Sequence, residues 1–272
     1  MMNNIPLGKE VSYTSVYSPE LLFPVPRALG RKSLGLDGKV PFIGQDIWNA
    51  YEVSWLEPGG KPRIGIAEIV FAIDSLNIIE SKSLKLYLNS FNQTCFSSPE
   101  QVVETIEKDL QRVAGGEVSV KLKLPAAFGD FSFKEPGGLC IDDLEVEADS
   151  YSRDTSFLTC GQTTVEECVY SNLLRSNCPV TGQPDWATVI IHYSGQRMSH
   201  SGLLRYIISF REHIGFHENC VEQIFVDLMD QCQPDKLSVY ARFTRRGGID
   251  INPFRSTDNF SAVAENMRTA RQ

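Results

Sequence analysis

Cys178 sits in YSNLLRSNCPVTGQPDWATV (170–189), between what reads as a short helical turn and a strand. Pro179 and Pro184 stiffen this loop, and Gly182 allows a tight turn. A nucleophilic thiol needs such a setting: fixed, partly exposed, and near a group that handles protons. Asp185 enters the following strand and can face the same cavity. Spacing alone nevertheless favours an ordinary loop with a buried thiol and an Asp turn.

Three other clusters bear chemistry. His217-Glu218 precedes a helix; the carboxylate can accept two hydrogen bonds from an amidine-like edge such as that of a guanine-type ring, and the histidine can orient a proton. Glutamate near a helix N-terminus also complements the macrodipole with no ligand present. Glu80-Ser81-Lys82, with Lys85, opens another helix and suits a phosphate or carboxylate, although such lysines are commonly solvated. Arg245-Arg246-Gly247-Gly248 follows a strand and can grip a phosphate or form an exposed turn.

Absences narrow the chemistry. The chain contains no G-x-G, so neither the dinucleotide fingerprint nor the P-loop is present. The cysteines at 95, 140, 160, 168, 178, 220 and 232 include no CxxC pair, and histidines 192, 200, 213 and 217 form no convincing ligand pattern. No metal is expected. The net charge of −8 argues against broad nucleic-acid binding, which needs a basic face. There is no apolar run of spanning length and no secretory leader at the N-terminus, so the expected place is the cytoplasm, with reduced thiols and no membrane partner.

The elements that position these residues follow from periodicity. The first fifty residues, rich in Pro, Gly and Ser, read as an extended arm, with order beginning near Tyr51. A strand-like segment (64–74) precedes a helix over 80–91, with Leu84, Tyr87, Leu88 and Phe91 on one face. Ser98 and Pro99 start a second helix that Gly115 and Gly116 end, and 117–124 alternates as a strand. The order recurs as strand 186–193, helix 201–210, helix 218–232 and strand 236–243. Aligning 65–124 with 184–243 at a constant offset of 119 gives nine identities, among them Tyr87/Tyr206, Ser90/Ser209 and Phe91/Phe210, which points to an internal duplication. At that offset His217 and Glu218 fall opposite Ser98 and Pro99. The acidic stretch 129–155 reads as a hairpin plus connector. The class is α+β, with antiparallel sheets carrying helices on one face. Since neither half holds all the candidate residues, the site is expected where the halves meet.

ESKSLKLYLNSF (80–91), YSNLLRSNCPVTGQPDW (170–186), FHE (216–218) and RRGGIDINPFRS (245–256) together resemble the motifs of the NADPH-dependent 7-cyano-7-deazaguanine reductases of the queuosine pathway, in their longer, two-module form. The resemblance implies the tunnelling fold, with two tandem modules: 1–150 with arm and connector, and 151–272 with the active cysteine. It implies reduction of a nitrile to an aminomethyl group with two NADPH. Cys178 would form a covalent thioimide and Asp185 would supply protons. Ile79, Glu80, Ser81, His217 and Glu218 would hold the deazaguanine, and Ser81, Lys82, Arg246 and Gly247 would contact NADPH. A homodimer is implied, because a barrel needs more modules than one chain supplies. Competing readings are a zinc-dependent cyclohydrolase or pterin synthase on the same fold, and a non-catalytic purine-binding module.

Overall fold

The structure, a computed structural model, describes residues 13–36, 38–258, 260 and 265–272. It divides into two compact units whose segments interleave along the chain. Unit 1 takes the described residues up to Leu29, with Asp46–Ser132 and Arg245–Ile251; unit 2 takes Gly30–Gln45, Phe133–Thr244 and the described part of Asn252–Gln272.

Unit 1 carries β1 (Pro24–Pro26), the start of α1 (Arg27–Ser33), most of β2 (Ile43–Leu56), β3 (Pro62–Ala72), β4 (Asn77–Ile79), α2 (Ser81–Asn89), α3 (Pro99–Ala114) and β5 (Val118–Lys123). β3 is flanked by β2 and β5, and β1 pairs antiparallel with β4. The helix α3 shows why these residues fold this way. The Ser98 hydroxyl accepts from the Gln101 N–H, Pro99 fills the first helical position, and Gly115 ends the helix. Val102, Ile106, Leu110 and Ala114, spaced at four, are fully buried against Trp48, Trp55, Phe71 and Phe91.

Unit 2 carries β6 (Leu139–Cys140), β7 (Cys160–Asn177), β8 (Pro184–Met198), α4 (His200–Ser209), α5 (His217–Cys232), β9 (Lys236–Phe243) and the second part of β10 (Ile249–Ser256). Its strands run in the order β10-β9-β8-β7-β6 without closing on themselves, antiparallel except for β6 against β7. Sheets and helices together make an α+β protein.

The helix pairs match the duplication. α2 and α4 hold to the offset of 119, and each carries a Tyr–Phe edge-to-face pair, Tyr87 on Phe91 at 5.1 Å and Tyr206 on Phe210 at 5.2 Å. From the second helix the offset is 118, because α3 begins at Pro99 and α5 at His217. His217 and Glu218 therefore match Pro99 and Glu100, not Ser98 and Pro99.

Other expectations are corrected. The arm is not merely extended: Pro24–Pro26 is a strand and Arg27–Ser33 a helix, and order is present before Tyr51. Residues 129–155 form no hairpin; they hold a two-residue strand that pairs parallel to β7. The helical turn expected before Cys178 is the end of an 18-residue strand.

Candidate active site

β7 and β8 form a long hairpin, and Cys178 lies just beyond the end of β7. Ser176 pairs with Asp185 and Asn177 with Pro184. The Cys178 N–H donates to the Gln183 carbonyl at 2.9 Å, which carries the ladder one step further, and the Gly182 N–H returns to the Cys178 carbonyl at 2.9 Å. Gly182 closes this loop with φ of 66°, a left-handed conformation that a side chain would strain. Because residues two apart share a face, Cys178 and Asp185 are diagonal neighbours on the face of Ser176, a relation that sets Cα atoms roughly 7–8 Å apart. Asp185 is 3% exposed and Cys178 is 9% exposed, so the thiol is more enclosed than the loop sequence suggests.

The start of α5 meets this hairpin. His217 Nε2 is 3.9 Å from Asp185 Oδ1, and its ring stands edge-on to Phe243 at 4.0 Å. Glu218 is buried beside it in the first turn, where the helix dipole favours a carboxylate. Cys220 is the other thiol here. Burial pushes it up to about 12, against a lowering contact with Ser176 and with a further rise from Asp185, so it stays neutral at pH 7. One turn on, Glu222 accepts from Arg255 (2.9 Å) and Arg31 (2.9 Å), an ion triple with Glu222 and Arg255 almost wholly buried. Spacing did not disclose this triple; Arg255 within PFRS was its one trace.

In unit 1, Glu80 caps α2. Its carboxylate accepts from the N–H groups of Lys82 (2.9 Å) and Ser83 (2.8 Å), and its own N–H donates to the Phe23 carbonyl at 2.9 Å. Ser83 Oγ donates to the Glu80 carbonyl and accepts from the Phe23 N–H, so the arm braces this turn. Burial raises the Glu80 carboxyl above its ordinary value, opposed by those two N–H groups and by the Lys82 charge. Ile79, the last residue of β4, is buried beside it.

The turn Arg245–Gly248 belongs to the same unit. Arg245 stacks over Tyr51 at 4.2 Å, whose hydroxyl donates to Asp250 at 2.6 Å, and Lys85 pairs with Glu52 at 3.2 Å. Gly247 has φ of 58°, and a Cβ there would lie 3.5 Å from Lys85 Nζ. Thus Lys85 of α2 and the Arg246-Gly247 turn lie side by side, a cationic and open-backboned spot.

The family model described as nitrile reductase, 7-cyano-7-deazaguanine-reductase N-term matches residues 13–122, and one described as QueF-like protein matches 184–261. An NADPH-dependent 7-cyano-7-deazaguanine reductase of Desulfotalea psychrophila is 58% identical over 98% of this chain and 97% of its own. The enzymes of that name from Burkholderia pseudomallei and Paraburkholderia xenovorans are each 54% identical over 98% of both chains. The chain belongs to the NADPH-dependent 7-cyano-7-deazaguanine reductase family.

The residues present suit the cofactor in the family's name. Gly247 holds a φ of 58° that a side chain would strain, so the backbone beside Lys85 is bare; Arg245 and Arg246 precede it in the turn, and Lys82 lies one turn before Lys85 on α2. A cavity of about 420 Å³ opens elsewhere, lined by Cys160, Gln196, Cys232 and Gln233, and none of the candidate residues lines it. Among the described residues no group of three His, Cys, Asp or Glu side chains converges as metal ligands would, and no helix is long and apolar enough to cross a membrane.

Proposed function

We propose that this chain reduces the nitrile of 7-cyano-7-deazaguanine to an aminomethyl group with two equivalents of NADPH, in queuosine biosynthesis, with Cys178 as covalent nucleophile. The observation that supports this best is the hairpin, which sets Cys178 and Asp185 diagonally on one buried face in a chain 58% identical to a reductase of that name.

A nitrile carbon is a poor hydride acceptor. The Cys178 thiolate adds to it, forming the C–S bond, while Asp185 passes a proton to the nitrogen; the product is a thioimide. NADPH, when bound, supplies a hydride to that carbon and a second hydride to the imine that follows. Between the two, the C–S bond breaks and the sulfur leaves as thiolate, with Asp185 again managing the proton. Glu80 and Glu218 accept hydrogen bonds from the deazaguanine N–H groups, with Ile79, Ser81 and His217 beside them. Ser81, Lys82, Arg246 and Gly247 hold NADPH. The two modules are 1–150, with arm and connector, and 151–272, with the active cysteine. The working form is a homodimer in the cytoplasm, acting on a small molecule and not on nucleic acid or membrane.

The test is loss of NADPH absorbance on adding the nitrile. Wild type should consume two NADPH per nitrile and Cys178→Ala none. Turnover by Cys178→Ala would end the proposal.

A further inference from the structure

β7 changes phase before it reaches Cys178. Val169 and Ser171, at odd positions, are fully buried; beyond them the even positions Leu174, Ser176 and Cys178 are the buried ones. The pairing shows why. Ser171 faces Val189 and Leu174 faces Ala187, so Asn172 and Leu173 together oppose the single residue Thr188. This is a β-bulge, and one extra residue moves every later side chain to the opposite face. Without it, Ser176 and Cys178 would point away from the face of Asp185.

A bulge leaves backbone groups unpaired unless something satisfies them. Here Asp142, from the connector, does so. Its carboxylate accepts from Ser171 Oγ (2.6 Å), from the Asn172 N–H (3.0 Å) and from Asn172 Nδ2 (3.0 Å). Ser171 Oγ accepts in turn from the Leu173 N–H at 3.1 Å. On the far side, Thr188 Oγ1 donates to Asn172 Oδ1 at 2.7 Å and Arg271 to the Asn172 carbonyl at 2.9 Å. Asp142 is itself held, because the neighbouring Ile141 is buried and donates its N–H to the Tyr170 carbonyl at 3.1 Å.

We infer that Asp142 is a positioning residue for the reaction: it locks the bulge whose phase shift puts the Cys178 thiol on the face of Asp185. The inference rests on Cys178 being the nucleophile. The acidic connector thereby gains a role in the chemistry that its sequence does not announce.

The test compares Asp142→Ala, Asp142→Asn and a control, Asp149→Ala, which removes an exposed connector carboxylate paired only loosely with Arg205 at 3.5 Å. Asp142→Ala should slow formation of the Cys178–nitrile adduct and lower kcat together by roughly tenfold to a hundredfold, as small misplacements of reacting groups do, while KM for NADPH stays at the wild-type value. Asp142→Asn keeps one acceptor oxygen and should fall between, with faster hydrogen exchange at the Asn172 and Leu173 amides; it also serves should the Ala variant not fold. Asp149→Ala should match wild type. A folded Asp142 variant with wild-type adduct rate, or one whose NADPH KM rises along with the loss, overturns the inference. An adduct that persists in Cys178→Ala overturns the nucleophile and the inference with it. A dead Cys178→Ala beside a fully active Asp142→Ala overturns this inference alone.

Discussion

The two units share a skeleton and differ at its ends. In each, two long strands, two helices and a strand follow in order, with the short β4 added before the helices in unit 1, and the first helix sends a tyrosine hydroxyl to an aspartate on the second: Tyr87 to Asp109 at 2.8 Å and Tyr206 to Asp227 at 2.6 Å. In each, a serine hydroxyl folds back on that tyrosine's carbonyl at 2.6 Å, from Ser90 and from Ser209. The helix ends are another matter. α2 is capped by the buried carboxylate of Glu80, whereas α4 is capped by Ser199 with His200 tied to Glu167 at 2.9 Å. α3 starts with an ordinary serine cap and an exposed Glu100, whereas α5 has no side-chain cap and buries Glu218. Packing constrains the middle of both copies alike, while the helix ends have diverged in their caps and buried carboxylates.

The largest effect expected from this contrast is at matched positions on the second helices. Glu222→Ala leaves Arg255 buried without its carboxylate and should cost about 3–5 kcal/mol. Glu104, its counterpart on α3, is exposed, and Glu104→Ala should stay within about 0.5 kcal/mol of wild type. Denaturant unfolding of both measures the gap; equal costs would mean that α5 is anchored no differently from α3.

The shared skeleton makes the next prediction. Tyr87→Phe and Tyr206→Phe each remove one hydrogen bond to a buried carboxylate and should cost about 1.5–3 kcal/mol. The two costs should agree, and turnover should persist in both. A large stability loss in one unit and none in the other would show that the matched bonds are a likeness of geometry without a likeness of energy.

These pairs also show what could be read without coordinates. The serine-proline start of α3 and its fourfold stripe are local signals, and KLSVYARF, residues 236–243, is β9 from end to end. β1 was illegible because its partner, β4, lies some fifty residues away and its own residues, Pro-Val-Pro, argue against a strand. β7 is hidden near Cys178 because the bulge breaks the period of two between Ser171 and Leu174. Cys178, Asp185, His217 and Glu218 are legible as motifs; that they gather at one hairpin end and one helix start depends on long-range pairing. Asp142, Cys220 and the Glu222 triple left no spacing signal, since each acts through a partner distant in sequence.

A smaller effect separates the caps of the first helices. Glu80→Gln should weaken nitrile binding by roughly tenfold, equal to about 1.4 kcal/mol, because an amide offers one acceptor oxygen to a two-donor edge. As the pH falls through the raised Glu80 value, wild-type binding should weaken as the carboxyl gains its proton, and Glu80→Gln should lose that dependence. The sign for stability is opposite. A carboxyl raised by burial contributes most below 4.5, its ordinary value, and that contribution is lost as the pH rises through the raised value. Binding titrations and melts across this range check both. Smaller again, Ser98→Ala should cost about 1 kcal/mol of stability with no change in turnover, as befits a cap with only a structural task.

The central claim is that unit 2 supplies the nucleophile through Cys178. Intact-mass and peptide analysis of the protein mixed with 7-cyano-7-deazaguanine, NADPH omitted, tests it most directly. The account predicts one adduct per chain, with the mass of the whole nitrile, on the peptide containing Cys178 and absent from Cys178→Ala. An adduct on Cys220 or any other residue, or one that survives in Cys178→Ala, would contradict it.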